Sequence, residues 1–440
     1  MIASALVHRN AKLVALGEDE MVTVYSVFQG LQVSRCASVK LSTAVLAVTL
    51  RPVGDGLHDK GVKKCRLAVM DGTRLEIRML ECASSSSSSS SSKSNRAAVW
   101  REEPAMLDMP GTFRCDFPEL DGCPAPSTAL VFVSDARVVV VRGDLIYVVT
   151  LPTPSIPHLS KIDVRQLECM TSTGRTLRSL RRSGTSRVEK LLLGSRTQES
   201  FVVLMRHNQT DMVDVQWVDI LEENHNDENR NKGKNDRKSG DEEEVASKTK
   251  ITSLGLAALQ LVVRWSFSTL HLHSSPVAVD EESEVVFACA DDGVHVMSRF
   301  GPVRVITHDT LASMKPLTSI SLYENYPNTG AYRCTGLIVS GAAGSFALLE
   351  ACVKGPQDEG LEAHDTCSPL HPVPLCALVG KGSSSAAHSH VHTVETICQL
   401  PEQEELMVVA SHPSLGLQTL VLQSSLETTL SSHVMRRVMR

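Results

Sequence analysis

The sequence has few aromatic residues and no apolar run long enough to cross a membrane. Aromatic residues make up 4% of the 440 residues, and Trp100, Trp217 and Trp265 are the only tryptophans. A core must therefore be built mainly from Val, Leu, Ile and Ala, which favours β-strands. The longest apolar runs, residues 138–141 and 145–151, are far shorter than the roughly 20 residues of a transmembrane helix. We expect no membrane partner and no signal peptide.

The sequence also lacks the spaced motifs of common enzymes and metal sites. Its 12 cysteines include no CxxC pair, and Cys65, Cys289, Cys334 and Cys398 lie inside apolar runs. This usage is typical of free thiols in the nucleus or cytoplasm. No P-loop, dinucleotide-binding fingerprint, GxSxG or HExxH motif occurs. We therefore predict no catalytic residues, no metal site and no cofactor.

Acidic residues outnumber basic residues in the chain, but one segment is rich in arginine. The net charge of −6 provides no global field that would attract nucleic acid. The exception is a group of five arginines within 13 residues, namely Arg175, Arg178, Arg181, Arg182 and Arg187. Their guanidinium groups can hold the phosphates of RNA or of a phosphorylated protein through bidentate hydrogen bonds. The alternative is a solvated loop or helix face.

Three further groups indicate binding chemistry with lower specificity. Two have the spacing of zinc ligands: His388, His390 and His392, and His364, Cys367 and His371. Both lie in segments rich in Ser, Gly or Pro, which favours flexible loops over a metal site. Residues 340–345, SGAAGS, are the closest approach to a phosphate-binding loop. Gly341 and Gly344 are better explained by the positive φ angles of a hairpin turn.

One pattern recurs along the chain: an apolar run rich in β-branched residues, a cluster of turn residues, and a second apolar run. Seven copies lie at residues 12–27, 66–80, 129–141, 190–205, 284–297, 336–349 and 405–422. Each predicts a β-hairpin, because Gly, Asp, Ser and Asn supply the turn between two strands. Successive copies start 54, 63, 61, 94, 52 and 69 residues apart. The interval of 94 contains an evident insertion.

Other apolar runs supply the remaining strands of each unit. They lie before the hairpins at 44–50, 276–280, 317–323 and 393–400, and after them at 145–151, 213–220 and 302–306. Seven units of about four strands predict an all-β fold, a single seven-bladed β-propeller formed by residues 1–440. Two β-sandwich domains are the alternative.

Two segments contain too few apolar residues to join a core. Residues 84–95 begin with nine consecutive serines, and residues 222–250 mix nine acidic with seven basic side chains. We predict that both are disordered insertions in loops of the propeller. The second is a polyampholyte, which is not typical of an RNA-binding arm.

The repeated pattern resembles degenerate WD-repeat propellers, although their Trp-Asp dipeptide is absent: Trp217 is followed by Val218. The resemblance implies a non-catalytic scaffold that organises other protein subunits into a complex. Residues 44–54, 66–80 and 129–152 are also similar to the non-catalytic WD-repeat subunit of the tRNA guanine-N7 methyltransferase. That similarity implies a methyltransferase partner and a role in tRNA processing. It also implies that RNA is bound through the arginine group of this chain or through the partner. The charged loop of that family corresponds at best to residues 291–296, DDGVHV, which lack its basic residues.

Overall fold

A computed structural model of the chain consists of β-strands and one short helix. The residues that it describes are 2–8, 11–28, 32–41, 43–53, 64–83, 99–102, 112–118, 127–143, 145–152, 161–171, 176–177, 186–210, 212–223, 258–270, 276–323, 333–341, 344–353, 365–379, 393–399, 405–412 and 416–424. Within these ranges, no helix is long and apolar enough to cross a lipid bilayer.

The first three sheets follow one another along the chain. The first consists of β1 (Ile2–His8), β2 (Ala11–Glu18), β3 (Met21–Phe28) and β4 (Gln32–Lys40), paired in that order. The second consists of β5 (Ala47–Val53), β6 (Lys64–Met70) and β7 (Arg74–Ala83), with β8 (Val99–Glu102) and β9 (Thr112–Asp116) both paired to β7. The third consists of β10 (Thr128–Phe132), β11 (Arg137–Arg142), β12 (Leu145–Thr150) and β13 (Asp163–Leu167). All their pairings are antiparallel.

The fourth sheet is wider than the others before it. It comprises β14 (Cys169–Thr171), β15 (Thr176–Leu177), β16 (Ser186–Leu193), β17 (Ser200–His207), β18 (Met212–Glu223) and β19 (Ala258–Leu270). Its spatial order is β15-β14-β19-β18-β17-β16, and β14 pairs with β19 in parallel. The fifth sheet comprises β20 (Val277–Asp280), β21 (Val285–Cys289), β22 (Val294–Ser298) and β23 (Gly301–Ile306). Helix α1 (Asp309–Ser313) follows it.

The last seven strands share one continuous ladder. They are β24 (Leu317–Tyr323), β25 (Arg333–Gly341), β26 (Phe346–Val353), β27 (Thr366–Val379), β28 (Thr393–Gln399), β29 (Glu405–His412) and β30 (Gly416–Ser424). The order is β24-β25-β26-β27-β30-β29-β28. The long strand β27 joins two halves: residues 366–370 pair with β26, and residues 370–379 pair with β30.

All seven predicted hairpins are present, and the seven additional runs form strands within three residues of their predicted positions. The hairpins are not equivalent, however. We count strands from one edge of each sheet, which is β1, β5, β10, β16 or β20, and from both edges of the last ladder, which are β24 and β28. On this count β10–β11 and β16–β17 are first and second strands, whereas the other five hairpins are second and third strands. Some intervals between hairpin starts therefore run from a second strand to a first strand or the reverse. This difference explains part of the irregularity of the intervals.

The predicted insertion at 222–250 begins too early. Strand β18 continues through Glu223, with Glu222 paired to Leu259 and Glu223 to Ala258 of β19. The acidic residues stay in the ladder because β19 supplies backbone partners and Arg137 binds the Glu222 carboxylate. Residues 84–95 and the rest of that segment lie outside the described residues.

Six apolar clusters occupy the spaces between consecutive sheets. One joins sheets one and two, the next joins sheets two and three, and so on to the cluster between the β24–β27 and β27–β30 halves of the last ladder. Interior strands such as β11 and β21 are buried at every position, as expected for strands covered on both faces. In a two-sheet sandwich each sheet contributes to one core, whereas here the interior sheets contribute to two.

Edge strands of neighbouring sheets contact each other in one continuous run. β20, β24, β28, β1, β5, β10 and β16 contact one another in that order, and the fourth and fifth sheets, which carry β16 and β20, meet through their shared apolar cluster. Antiparallel sheets that pack face to face around a ring of first strands form a propeller-like fold.

The glycines of the SGAAGS segment have different roles. Gly344 has a φ of 72°, which confirms the predicted left-handed turn residue. Gly341 does not need a positive φ, and that part of the prediction is wrong. A Cβ atom at Gly341 would lie 2.2 Å from the carbonyl oxygen of Met314, so glycine is required because the linker between the fifth sheet and β24 passes against it.

Candidate functional site

The predicted arginine group is not brought together by the described residues. Arg187 is exposed on β16, where it faces Arg206 of β17 across the ladder. Arg206 is neutralised by Glu189, with Nε to Oε2 at 3.0 Å and Nη2 to Oε1 at 3.2 Å. Arg175, Arg178, Arg181 and Arg182 lie outside the described residues. Phosphate recognition by this group stays a prediction.

The histidine and cysteine groups give no metal site in the part of the chain that is described. Cys367 and His371 both lie on β27, four residues and therefore roughly 13 Å apart, which is too far to share one metal ion. His364 and the His388, His390 and His392 group lie outside the described ranges.

The described cysteines of the core are not nucleophiles. Cys65, Cys169 and Cys367 are buried free thiols, and burial raises the pKa of each to about 12. A thiol with such a pKa carries almost no thiolate at neutral pH. These residues pack as small apolar side chains.

Ion pairs join neighbouring sheets on one side of the ring. We refer to the side that carries residues 133–136, 194–199 and 281–284 as the turn face. Arg51 of β5 donates from Nε to Asp135 Oδ1 at 2.9 Å, which links the second sheet to the third. Arg137 at the start of β11 binds Glu199 and Glu222, which links the third sheet to the fourth.

The fourth and fifth sheets are linked in the same way. Arg196 donates from Nε to Glu281 Oε2 at 3.1 Å and from Nη1 to Glu282 Oε1 at 2.9 Å. The buried Ser195 hydroxyl donates to Glu284 Oε1 at 2.5 Å. Arg196 is 40% exposed, so its ion pairs contribute at most about 1 kcal/mol each. Their main effect is to fix the turns relative to one another.

The most buried charge of the turn face is Asp219, which is 1% exposed. Its Oδ1 accepts from the indole Nε1 of Trp217 at 2.9 Å. Its Oδ2 accepts from Arg264 Nε at 2.6 Å and from Arg299 Nη2 at 2.6 Å. Arg299 belongs to the fifth sheet, so one buried carboxylate joins three donors from two sheets. The two charged donors and the buried indole N–H compensate this carboxylate for its loss of hydration.

A serine, an aspartate and a histidine meet within the fourth sheet, but they do not form a nucleophile and base. The Ser268 hydroxyl donates to Asp214 Oδ1, and His207 Nε2 lies 3.0 Å from Asp214 Oδ2. The carboxylate therefore stands between the other two groups. In a hydrolytic triad the histidine stands in the middle and takes the serine proton. This cluster instead ties β17, β18 and β19 together.

Two buried arginines of the turn face differ in their partners. Burial lowers the pKa of Arg137, but the attraction of Glu199 and hydrogen bonds to Glu222 and Glu199 outweigh burial and raise that pKa above its ordinary value. Burial lowers the pKa of Arg66, and repulsion by Arg51 offsets part of the attraction of Asp135. Nε and Nη1 of Arg66 have no hydrogen-bond partner within the described structure.

The residues of the DDGVHV segment lie on the opposite side of the ring from the turn face. Residues 290–293 form the turn between β21 and β22. His295 Nε2 lies 2.7 Å from Asp292 Oδ1, and the His295 ring packs on Phe267 with centroids 4.7 Å apart. The hydrogen bond from His295 holds the pKa of Asp292 below its ordinary value.

Sequence reasoning missed the turn-face ion pairs and the Asp219 cluster. Their partners are 62 to 89 residues apart in most cases, so no local motif marks them. The available signal was a charged residue at a predicted hairpin turn, such as Arg196, or at the start of the strand that follows one, such as Arg137.

Comparison with known proteins gives a fold likeness and no family. No family model matches the chain, and no curated protein matches it. Among solved structures it is similar to the Nup170 N-terminal domain in the Nup170–Nup53 complex of Chaetomium thermophilum, with a TM-score of 0.45, 8% identity, and coverage of 95% of this chain and 57% of that one. The chain thus spans little more than half the length of that relative.

Two other solved structures cover most of both chains. The WD40 domain of SCAP from fission yeast has a TM-score of 0.41 and 8% identity, covering 96% of this chain and 94% of that one. BBS1N in complex with ARL6DN has a TM-score of 0.36 and 9% identity, covering 96% and 89%. At such low scores the likeness carries no information about partners or chemistry. The similarity to the tRNA methyltransferase subunit gains no support from these comparisons and stays a prediction. What the comparisons show is that the chain is similar to solved structures that include a WD40 domain.

Proposed function

We propose that the protein is a seven-bladed propeller that acts as a non-catalytic scaffold for other protein subunits, in the nucleus or cytoplasm. The count of seven rests on treating β27 as the fourth strand of two blades. Seven first strands then remain, β1, β5, β10, β16, β20, β24 and β28, with six apolar clusters between successive blades.

The observation that carries the scaffold function is the fixed turn face. From the second sheet to the fifth, the turns of neighbouring sheets are held by ion pairs at Asp135, Glu199 and Glu281. A surface that is already ordered loses little conformational entropy when a partner binds. The buried cysteines Cys65, Cys169 and Cys367 pack as apolar side chains, and Ser268 and His207 are engaged in the Asp214 cluster, whose geometry does not provide a nucleophile and base.

The scaffold function is tested by isolating the full chain from its own cells with a terminal tag. We expect one or more protein partners in stoichiometric amount by native mass spectrometry, with chemical cross-links concentrated on one side of the ring. A chain that is monomeric in every preparation and turns over a substrate by itself would contradict the proposal.

A further inference from the structure

A pocket opens on the side of the ring opposite the turn face, where the fifth sheet passes into β24. Its volume is about 230 Å³. Asp292 of the β21–β22 turn forms one wall, and Thr307, His308, Asp309 and Lys315 of the linker form the others. The buried Leu311 of α1 lies beneath. The pocket is therefore shaped by one tight turn and one short helical linker.

The volume limits what the pocket can bind. Sites for cofactors and drug-sized ligands usually enclose about 300–1,000 Å³ and are mostly apolar. This pocket is smaller, and four of its side chains carry ionisable groups. It fits one polar side chain or a ligand of that size, and it is too small for a nucleotide.

The ionisable groups favour a positive ligand. The Asp309 carboxylate has no hydrogen bond or ion pair within the described structure. The Asp292 carboxylate pairs with His295 through Oδ1 and also accepts a hydrogen bond from its own backbone N–H. His308 accepts the Thr310 backbone N–H through Nδ1 at 3.2 Å, which engages that ring nitrogen in capping α1. Lys315 is the one cationic group in the lining, which leaves two carboxylates against one ammonium.

We propose that this pocket receives the basic side chain of an arginine or lysine from a protein partner. The inference rests on the proposed scaffold function and names the chemistry of one contact. The guanidinium or ammonium group would lie between the carboxylates of Asp309 and Asp292, while the methylene groups of the basic side chain pack over Leu311. Lys315 sets a limit on affinity because it repels the incoming charge.

Small probes test the pocket on the purified full chain, without any partner. The probe is Nα-acetyl-arginine amide, followed by saturation-transfer NMR and compared with Nα-acetyl-citrulline amide, its uncharged isostere. We expect binding of the arginine probe and none of the citrulline probe. Asp309→Asn should weaken binding about fivefold, the scale of an exposed ion pair, and Lys315→Met should strengthen it.

The matched control is Glu168→Gln, which removes an exposed carboxylate elsewhere on the chain and should leave binding unchanged. Equal binding of both probes, no effect of Asp309→Asn, or weaker binding in Lys315→Met would each overturn the proposal. The last result, together with preferential binding of Nα-acetyl-glutamate amide, would identify an anion site. Because the probe needs no partner, its failure leaves the scaffold function standing. Conversely, a monomeric chain in cells would contradict the scaffold function even where the probe binds.

Discussion

The two sides of the ring use charged residues differently. On the turn face, Arg137 and Arg196 each reach two carboxylates on the next sheet. On the opposite side, Asp309 and Lys315 line a pocket and make no ion pair within the described residues. Charged side chains therefore pair between sheets two to five on the turn face, whereas those of the pocket remain available to a ligand. Elsewhere on the opposite side, Arg142 links the third sheet to the second by donating to the carbonyl oxygens of Pro118 and Gly72.

The difference follows from how the chain turns on each side. Turn-face hairpins project toward the neighbouring sheet, so that Arg196 donates from both its backbone and its side chain to Glu281. On the opposite side, the chain from Ile306 to Leu317 folds back on itself through α1, where His308 caps the helix locally. A local cap leaves neighbouring charges without a partner in the next sheet.

The largest expected effect comes from breaking the Asp219 cluster. Asp219→Ala leaves two guanidinium groups and the Trp217 indole N–H without their acceptor. Removing one partner of a buried, hydrogen-bonded charge group costs about 3–5 kcal/mol of unfolding free energy. Urea denaturation followed by circular dichroism measures the loss. Asp309→Ala on the opposite side is the control, with a change within about 0.5 kcal/mol. Equal effects of the two substitutions would remove the distinction between the sides.

A smaller effect distinguishes two arginines within the turn face. Arg137→Met removes the common partner of Glu199 and Glu222, and we expect a loss of about 1–3 kcal/mol. Arg66→Met removes a buried guanidinium whose Nε and Nη1 have no partner within the described structure. Replacing such a group by an apolar side chain of similar length should be neutral or stabilising. Thermal melting of the two variants in parallel provides the measurement, and a larger loss for Arg66→Met than for Arg137→Met would contradict this ranking.

The strands were predictable from sequence because their composition is distinctive. Runs such as residues 138–141, all valine and all buried, can only be strands covered on both faces. The position of each hairpin within its sheet was not predictable, since first–second and second–third hairpins have the same alternating pattern. β10–β11 and β16–β17 show this directly.

The candidate sites were less predictable than the fold. The arginine group around Arg178 was selected because its members are close in sequence, yet the ion pairs that join different sheets connect residues more than 60 positions apart. Which charges meet depends on which sheets are neighbours. Contacts within one sheet are shorter in sequence, as between Trp217 and Asp219 or between Asp292 and His295, and these contacts were not anticipated either.

The smallest expected effect concerns the pH response of Asp292, which borders the pocket. Its pKa lies below the ordinary value mainly because of the hydrogen bond from His295, with a lesser contribution from Lys315. A carboxyl whose folded pKa is depressed stabilises the fold above its unfolded pKa, near 4, and loses that contribution as the pH falls through the lower folded value. The Asp292 side chain is 63% exposed, so solvent keeps the effect small. A carbon-13 titration of the Asp292 carboxyl should show the depressed midpoint, and His295→Ala should return it to the ordinary range. Lys315→Met should move the midpoint less. A midpoint that does not change in His295→Ala would mean that backbone donors or Lys315 stabilise the carboxylate, and that His295 is held by its contact with Phe267 alone.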